Sequence, residues 1–176
     1  MGAIWPLDTE AMTTLVPDGR VPHRFDWRSP HHWVAYGGGS GLSRWAPGTA
    51  GTLAAVPLYL LIQPLPLTWY LAAVLGCFLL GVWACGKTAQ ELGVSDPSPI
   101  VWDEIVGFLV TMTAAPSGWP WVLVGFALFR LFDIWKPWPI SVLDQGVSGG
   151  LGIMLDDLAA GLLAWVILHM LVSAVA

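Results

Sequence analysis

Charge is what this sequence has least of. Of 176 residues, 11% are charged, 56% are hydrophobic and twelve are tryptophan. A soluble domain carries about 25% charged residues. Too few are present to coat a globular surface, which excludes an ordinary water-soluble fold and makes this an integral membrane protein. The seven Lys and Arg are also too few for a basic face that would hold nucleic acid. Cysteine is scarce: Cys77 and Cys85 lie within or at the end of one apolar run, read as reduced packing residues, and say nothing of the redox compartment. A secretory signal is missing, because residues 1–30 lack a continuous apolar core and carry Asp8, Glu10, Asp18 and Asp26.

What is there is a polar beginning and a string of apolar runs. Residues 1–28 are broken by proline and lack a period, which predicts a mobile arm; Arg20, Arg24 and Arg28 bias it to the cytoplasmic side. The remainder, 29–176, reads as one membrane-embedded domain. It opens with two glycine-rich segments, Gly37-Gly38-Gly39-Ser40-Gly41 and Pro47-Gly48-Thr49-Ala50-Gly51-Thr52. Such a segment before a helix can aim backbone N–H groups at a phosphate, making Thr49 a candidate contact. Close helix packing through small residues explains the glycines at least as well.

Five apolar runs follow, over 49–63, 67–86, 100–116, 120–136 and 151–175. A full span takes about 20 residues. The expected fold is therefore all-α, a polytopic membrane bundle of about five runs, the first of them short, interrupted by Pro57, and tilted or re-entrant. Threading the chain from a cytoplasmic arm delivers Lys87, Asp103, Glu104, Arg130, Asp133, Lys136, Asp144, Asp156 and Asp157 to one face. The opposite turns, residues 63–66 and 116–120, carry no charge. This one-sidedness agrees with the positive-inside rule.

The densest charge lies at the end of the fourth run, where Arg130, Asp133 and Lys136 step by three before Pro137. On a helix they share one face, and Pro137 and Pro139 prevent the helix from continuing. Snorkelling cations and an aromatic belt of Trp135 and Trp138 explain part of the stretch. They do not explain Asp133, which has no long stem with which to reach water.

Asp103, Glu104, Asp133, Asp156 and Asp157 gather at helix ends at one membrane level, with Asp144 in the adjoining loop. Carboxylates converging from three helices repel one another unless a cation sits among them, and an all-oxygen site suits Mg²⁺, above all where phosphates complete its shell. Arg130, Lys136 and Lys87 or Arg44 are placed to hold outer phosphate oxygens. Helix-dipole stabilisation alone would explain one acidic pair but not two pairs and Asp133. The pattern points to phosphoryl chemistry on a lipid headgroup. Other routes fail: Glu91 stands where a Cys-x₅-Arg loop starting at Cys85 needs arginine, no Asp-x-Asp pair exists, and Trp119 follows Pro116-Ser117-Gly118 where a His-dependent lipid phosphatase needs histidine. His31 and His32 read as structural, or as a proton relay.

Four stretches carry a resemblance: residues 47–57, from Pro47-Gly48-Thr49 to Pro57; Ile100-Val101-Trp102-Asp103-Glu104-Ile105-Val106-Gly107; residues 129–140, from Phe129-Arg130 to Ile140; and Gly152-Ile153-Met154-Leu155-Asp156-Asp157-Leu158-Ala159-Ala160-Gly161. In this order and spacing the chain, from about Ser29 onward, resembles the phosphatidylglycerophosphatase A family of bacterial membrane enzymes. The resemblance implies a Mg²⁺-dependent phosphatase of the bacterial inner membrane that converts the phospholipid phosphatidylglycerophosphate to phosphatidylglycerol. It puts the family's acidic positions on Asp103, Glu104, Asp133, Asp156 and Asp157 and its basic ones on Arg130 and Lys136.

Two rivals are a CDP-alcohol phosphatidyltransferase and a divalent-cation transporter. The first needs Asp-Gly-x₂-Ala-Arg, but Leu158 follows Asp157. The second expects polar groups at both mouths, and the outer turns are bare.

The charge distribution predicts that positions 117 and 144 face opposite sides of the membrane. In a variant lacking Cys77 and Cys85, an impermeant thiol reagent should label a cysteine at 117 in intact cells and one at 144 only after permeabilisation; the reverse pattern overturns the threading.

Overall fold

Proline and glycine set the helix boundaries that the apolar runs leave open. The computed structural model describes residues 25–94, 97–138 and 147–175, in which six α-helices and one 3₁₀ segment are found. Helix α1, Pro30–Ala35, starts on a proline at its first position, where the missing N–H costs nothing. A 3₁₀ segment, Gly37–Leu42, turns the chain through Gly38 and Gly39, whose φ values of 66° and 100° suit residues without a Cβ. Helix α2, Pro47–Ile62, stays helical through Pro57. Helix α3, Leu67–Leu92, ends on Gly93 in the left-handed conformation. Helices α4, Trp102–Thr111, α5, Trp119–Trp135, and α6, Gly149–Val175, complete the set.

Helix α6 is the hub, packing on α3, α4 and α5, while α2 covers α4 and α1 sits on α3. The interior helix is α4: Asp103 and every residue from Ile105 to Thr111 are buried. Its far end stops inside the protein, so its carbonyls need partners there. Tyr70 Oη donates to the Leu109 carbonyl at 2.7 Å, and Trp165 Nε1 to the Thr113 carbonyl at 2.9 Å. By contrast Leu71, Leu75, Leu79, Leu123, Leu162 and Met170 on α3, α5 and α6 point outward, an apolar coat suited to lipid.

Two helices, α3 and α6, are long and apolar enough to cross a membrane. The expectation of about five apolar spanning runs is not supported. Helices α2, α4 and α5 have 16, 10 and 17 residues, and ten residues reach only about 15 Å. The third run is cut short because the chain turns after Thr111, with Ala114 at a φ of 55°. Most of the predicted arm, residues 1–24, lies outside the described residues, as do Asp144 and Pro139. The end of that arm is packed: the Phe25 ring meets Trp27, Trp33 and Tyr36 edge to face.

Glycines set the closest helix approach. A Cβ on Gly161 would meet the Gly107 carbonyl oxygen at 2.5 Å, and one on Gly107 would meet the Phe129 ring at 2.5 Å and the Asp157 carbonyl at 2.8 Å. Gly161→Ala should therefore lower stability by about 1–3 kcal/mol. Gly76→Ala in α3, where nothing lies within 4 Å, should be neutral or raise it by up to about 1 kcal/mol. Thermal melting of both purified variants in detergent checks the contrast.

Candidate functional site

Four helix ends meet at one level: the starts of α2 and α4, the last turns of α5, and the second turn of α6. Between them lies a cavity of about 300 Å³ lined by Ala46, Pro47, Gly48, Ser98, Ile100, Asp103, Glu104, Arg130, Asp133, Ile134, Lys136, Asp156 and Asp157. Seven of the residues singled out in the sequence, Asp103, Glu104, Arg130, Asp133, Lys136, Asp156 and Asp157, share this wall. One carboxylate oxygen from each of Asp103, Glu104 and Asp157 lies within 4.8 Å of the other two. Asp103 and Asp156 are buried, and Asp157 is only 3% exposed.

Local sequence explains the convergence. Asp103 and Glu104 occupy the first turn of α4, where the helix dipole favours anions. Asp156 and Asp157 follow the Gly149–Gly152 approach of α6, and Gly161 one turn later lets that helix press on Gly107. Gly48 sits where a Cβ would collide with Glu104 Oε1 and lie 2.9 Å from an Arg130 guanidinium nitrogen. Only glycine lets α2 close this side of the cavity.

The cations are already engaged. Arg130 pairs tightly with Asp133 one turn along α5 and lies 3.9 Å from Glu104 Oε1. The three-residue spacing predicted that Lys136 shares their helical face, and it does not. The helix ends at Trp135, Lys136 takes a left-handed φ of 40°, and its Nζ reaches Asp156 Oδ2 at 2.6 Å. Pro137 helps to end α5 here, because the residue before a proline is disfavoured in the right-handed helical region.

Five carboxylates thus face two cations in one half-buried cavity. Taking ionised carboxylates out of water is costly unless each is compensated. Glu104 Oε2 and Asp157 Oδ2 are buried and accept no hydrogen bond among the described residues. An all-oxygen donor set with two such lone oxygens fits a hard divalent cation of the Mg²⁺ kind.

Three predicted contacts are not brought here. Lys87 is exposed on α3, and Thr49, next to Gly48, does not line the cavity. Arg44 is exposed outside the lining. His31 and His32 lie elsewhere, with Nε2 atoms 3.0 and 3.2 Å from Glu91 Oε2. The three offer ligand atoms within 4.8 Å of one another, but the Asp26 N–H donates to His32 Nδ1 at 2.9 Å. That leaves the ring proton on Nε2, facing Glu91, which makes a hydrogen-bonded clasp and a poor metal ligand. The sequence did not single out Ser98, or Gly48 as a site residue; the Pro47-Gly48 step at a helix start was the available signal.

Comparison with known proteins bears on this arrangement. Residues 33–172 match the family described as phosphatidylglycerophosphatase A. A protein of that name from Escherichia coli K12 is 46% identical over 147 residues, covering 83% of this chain and 86% of the relative. One from Haemophilus influenzae is 45% identical over 141 residues, covering 79% and 86%. A protein from Bacteroides thetaiotaomicron, provisionally named a phosphatidylinositol-3-phosphatase, is 40% identical over 143 residues, covering 77% and 89%. No solved structure matches. With the family's span containing every residue of the carboxylate cavity, the chain belongs to the phosphatidylglycerophosphatase A family.

Proposed function

We propose that this chain is a Mg²⁺-dependent lipid phosphatase that hydrolyses the terminal phosphomonoester of phosphatidylglycerophosphate to phosphatidylglycerol and inorganic phosphate. The observation that carries this is the cavity in which Asp103, Glu104 and Asp157 converge beside Arg130. The names of the relatives supply the substrate. We further read the chain as a multi-pass protein of the bacterial inner membrane, with this cavity at the cytoplasmic face. The one-sided charge supports that, as do the two long apolar helices, with α2, α4 and α5 packed against them as shorter partners.

In this reading Asp103, Glu104 and Asp157 hold the metal, and Asp133 and Asp156 fix the cations. Bound Mg²⁺ supplies positive charge to the phosphoryl oxygens and makes a water more acidic. Arg130, clamped by Asp133, offers its remaining guanidinium N–H groups to the equatorial oxygens that carry charge as the phosphoryl group moves. Water attacks phosphorus in line, the bond from phosphorus to the glycerol oxygen breaks, and that oxygen takes up a proton. Lys136 Nζ, an ammonium at the cavity wall held by Asp156, is a proton-bearing group that can supply it. The phosphodiester in the same headgroup carries one negative charge against about two on the monoester, so a metal among the carboxylates together with Arg130 would favour the monoester.

Asp157→Asn and Glu104→Gln should each lower phosphate release by about 10²–10⁴-fold. Asp133→Asn, which frees Arg130, should fall in the same direction. The assay is inorganic phosphate released from phosphatidylglycerophosphate by purified protein across a Mg²⁺ series, with phosphatidylinositol 3-phosphate run in parallel. Near-wild-type turnover by folded Asp157→Asn protein would remove the carboxylate cluster from the chemistry, and preference for the inositol lipid would reassign the headgroup.

The same cluster makes a second, activity-free prediction. Like charges crowded in a poorly solvated cavity destabilise the fold, so Asp157→Asn should raise stability by about 1 kcal/mol or more in EDTA. Mg²⁺ should raise the melting temperature of the natural protein and leave that of the variant nearly unchanged. Equal Mg²⁺ shifts in both would show that the ion binds elsewhere.

A further inference from the structure

Part of the cavity mouth is apolar. Ala46 and Ile134 are part of its lining, and Ile134 is 72% exposed, so an apolar side chain open to the surroundings forms part of the rim. Beside Ala46 stands Trp45, 97% exposed; beside Ile134 stands Trp135, 68% exposed; Trp138, in the turn after α5, is 81% exposed. Each flank also pairs a tryptophan with a neighbouring cation, as Arg44-Trp45 and Trp135-Lys136.

Indole rings with an apolar body and one N–H donor are poorly placed in water and well placed where acyl chains meet headgroups. Arginine and lysine at the same depth complement lipid phosphates. Two such Trp–cation pairs, on two different segments that border one cavity, match the layering of a phospholipid leaflet: apolar, then amphipathic, then anionic.

We propose that these flanks form a lipid doorway. Trp45 on one side, and Ile134, Trp135 and Trp138 on the other, rest in the interface of the leaflet that holds the substrate. The phosphomonoester then slides sideways into the cavity while its glycerol and acyl chains stay between the flanks. These residues position the lipid and touch no reacting atom. The inference rests on the lipid-phosphatase reading above, but one of its two tests needs no activity.

In that test, full-length protein is placed in phosphatidylethanolamine–phosphatidylglycerol vesicles, and the emission lost on Trp45→Phe or Trp135→Phe is taken as that residue's own. It should be quenched by lipids brominated near the headgroup end of their chains and shielded from aqueous iodide. Quenching by iodide with no effect of brominated lipid overturns the doorway, whatever the enzyme does. The second test compares vesicle-borne phosphatidylglycerophosphate with its deacylated, water-soluble headgroup. A Trp45→Ala, Trp135→Ala double variant should lose about tenfold or more in kcat/KM on the vesicle substrate, mainly through KM. It should process the soluble headgroup within about twofold of the natural protein. Equal losses on both substrates would mark a merely structural role, and no loss on either would remove these tryptophans from substrate access; both overturn the proposal. If the natural protein releases phosphate from neither substrate, the phosphatase reading falls and the quenching result alone decides where the two flanks lie.

Discussion

Two backbones that touch fix the distance between the helices that carry them. At Gly107 and Gly161 the backbones of α4 and α6 meet with no room for a Cβ, and everything the cavity offers follows from that contact. Asp103 and Glu104 stand one turn before it on α4, and Asp157 one turn before it on α6. Main-chain contact thus holds the backbones that carry these carboxylates close together. Interiors are packed densely enough that such a constraint is transmitted and not absorbed. A looser crossing would let the carboxylates move apart and lower their repulsion, at the cost of the site's fixed shape.

The stability balance around the cavity has the opposite sign from that of the core. Phe108, Leu109, Phe129, Met154 and Leu168 are fully buried and favour the fold through apolar burial, about 25 cal/mol per Å². The carboxylates favour separation. Arg130 and Lys136 offset part of this, each through a carboxylate that sits on or beside the cluster. The fold thus holds together a group of charges that would leave if they could, as expected where preorganisation for a ligand outranks local stability.

Much of this was legible in the sequence, though unevenly. The helical class followed from the apolar runs, and the approximate helix positions from their flanking Pro and Gly. The structure brings Asp103, Glu104, Arg130, Asp133, Lys136, Asp156 and Asp157 to one cavity, as expected from the sequence, although the five crossings that threaded them there are not supported. What could not be read was how far each run stays straight. Residues 100–116 are apolar enough to suggest a span, yet the turn after Thr111 ends α4 after ten residues, and hydropathy carries no record of a turn in an apolar segment. Lys136 is the other instance. Periodicity placed it with Arg130 and Asp133, but α5 ends at Trp135 and Lys136, in a left-handed conformation, reaches Asp156 on another helix. Thr49 and Lys87 were chosen by charge and neighbourhood alone, and rotation about a helix axis decides such cases.

The unequal lengths of the helices bear on how the protein meets membranes of different thickness. Helices α3 and α6, with 26 and 27 residues, are each about 39–41 Å long, more than the roughly 30 Å of hydrocarbon they would cross. Hydrophobic mismatch is accommodated by tilt, and these two helices are the ones that feel it. Helix α4, interior and short, matches no bilayer dimension and travels with α6 through their glycine contact. In a bilayer that α3 and α6 span, a change of thickness would alter their angle to the bilayer normal, while the glycine contact would keep Asp103 and Glu104 on α4 beside Asp157 on α6.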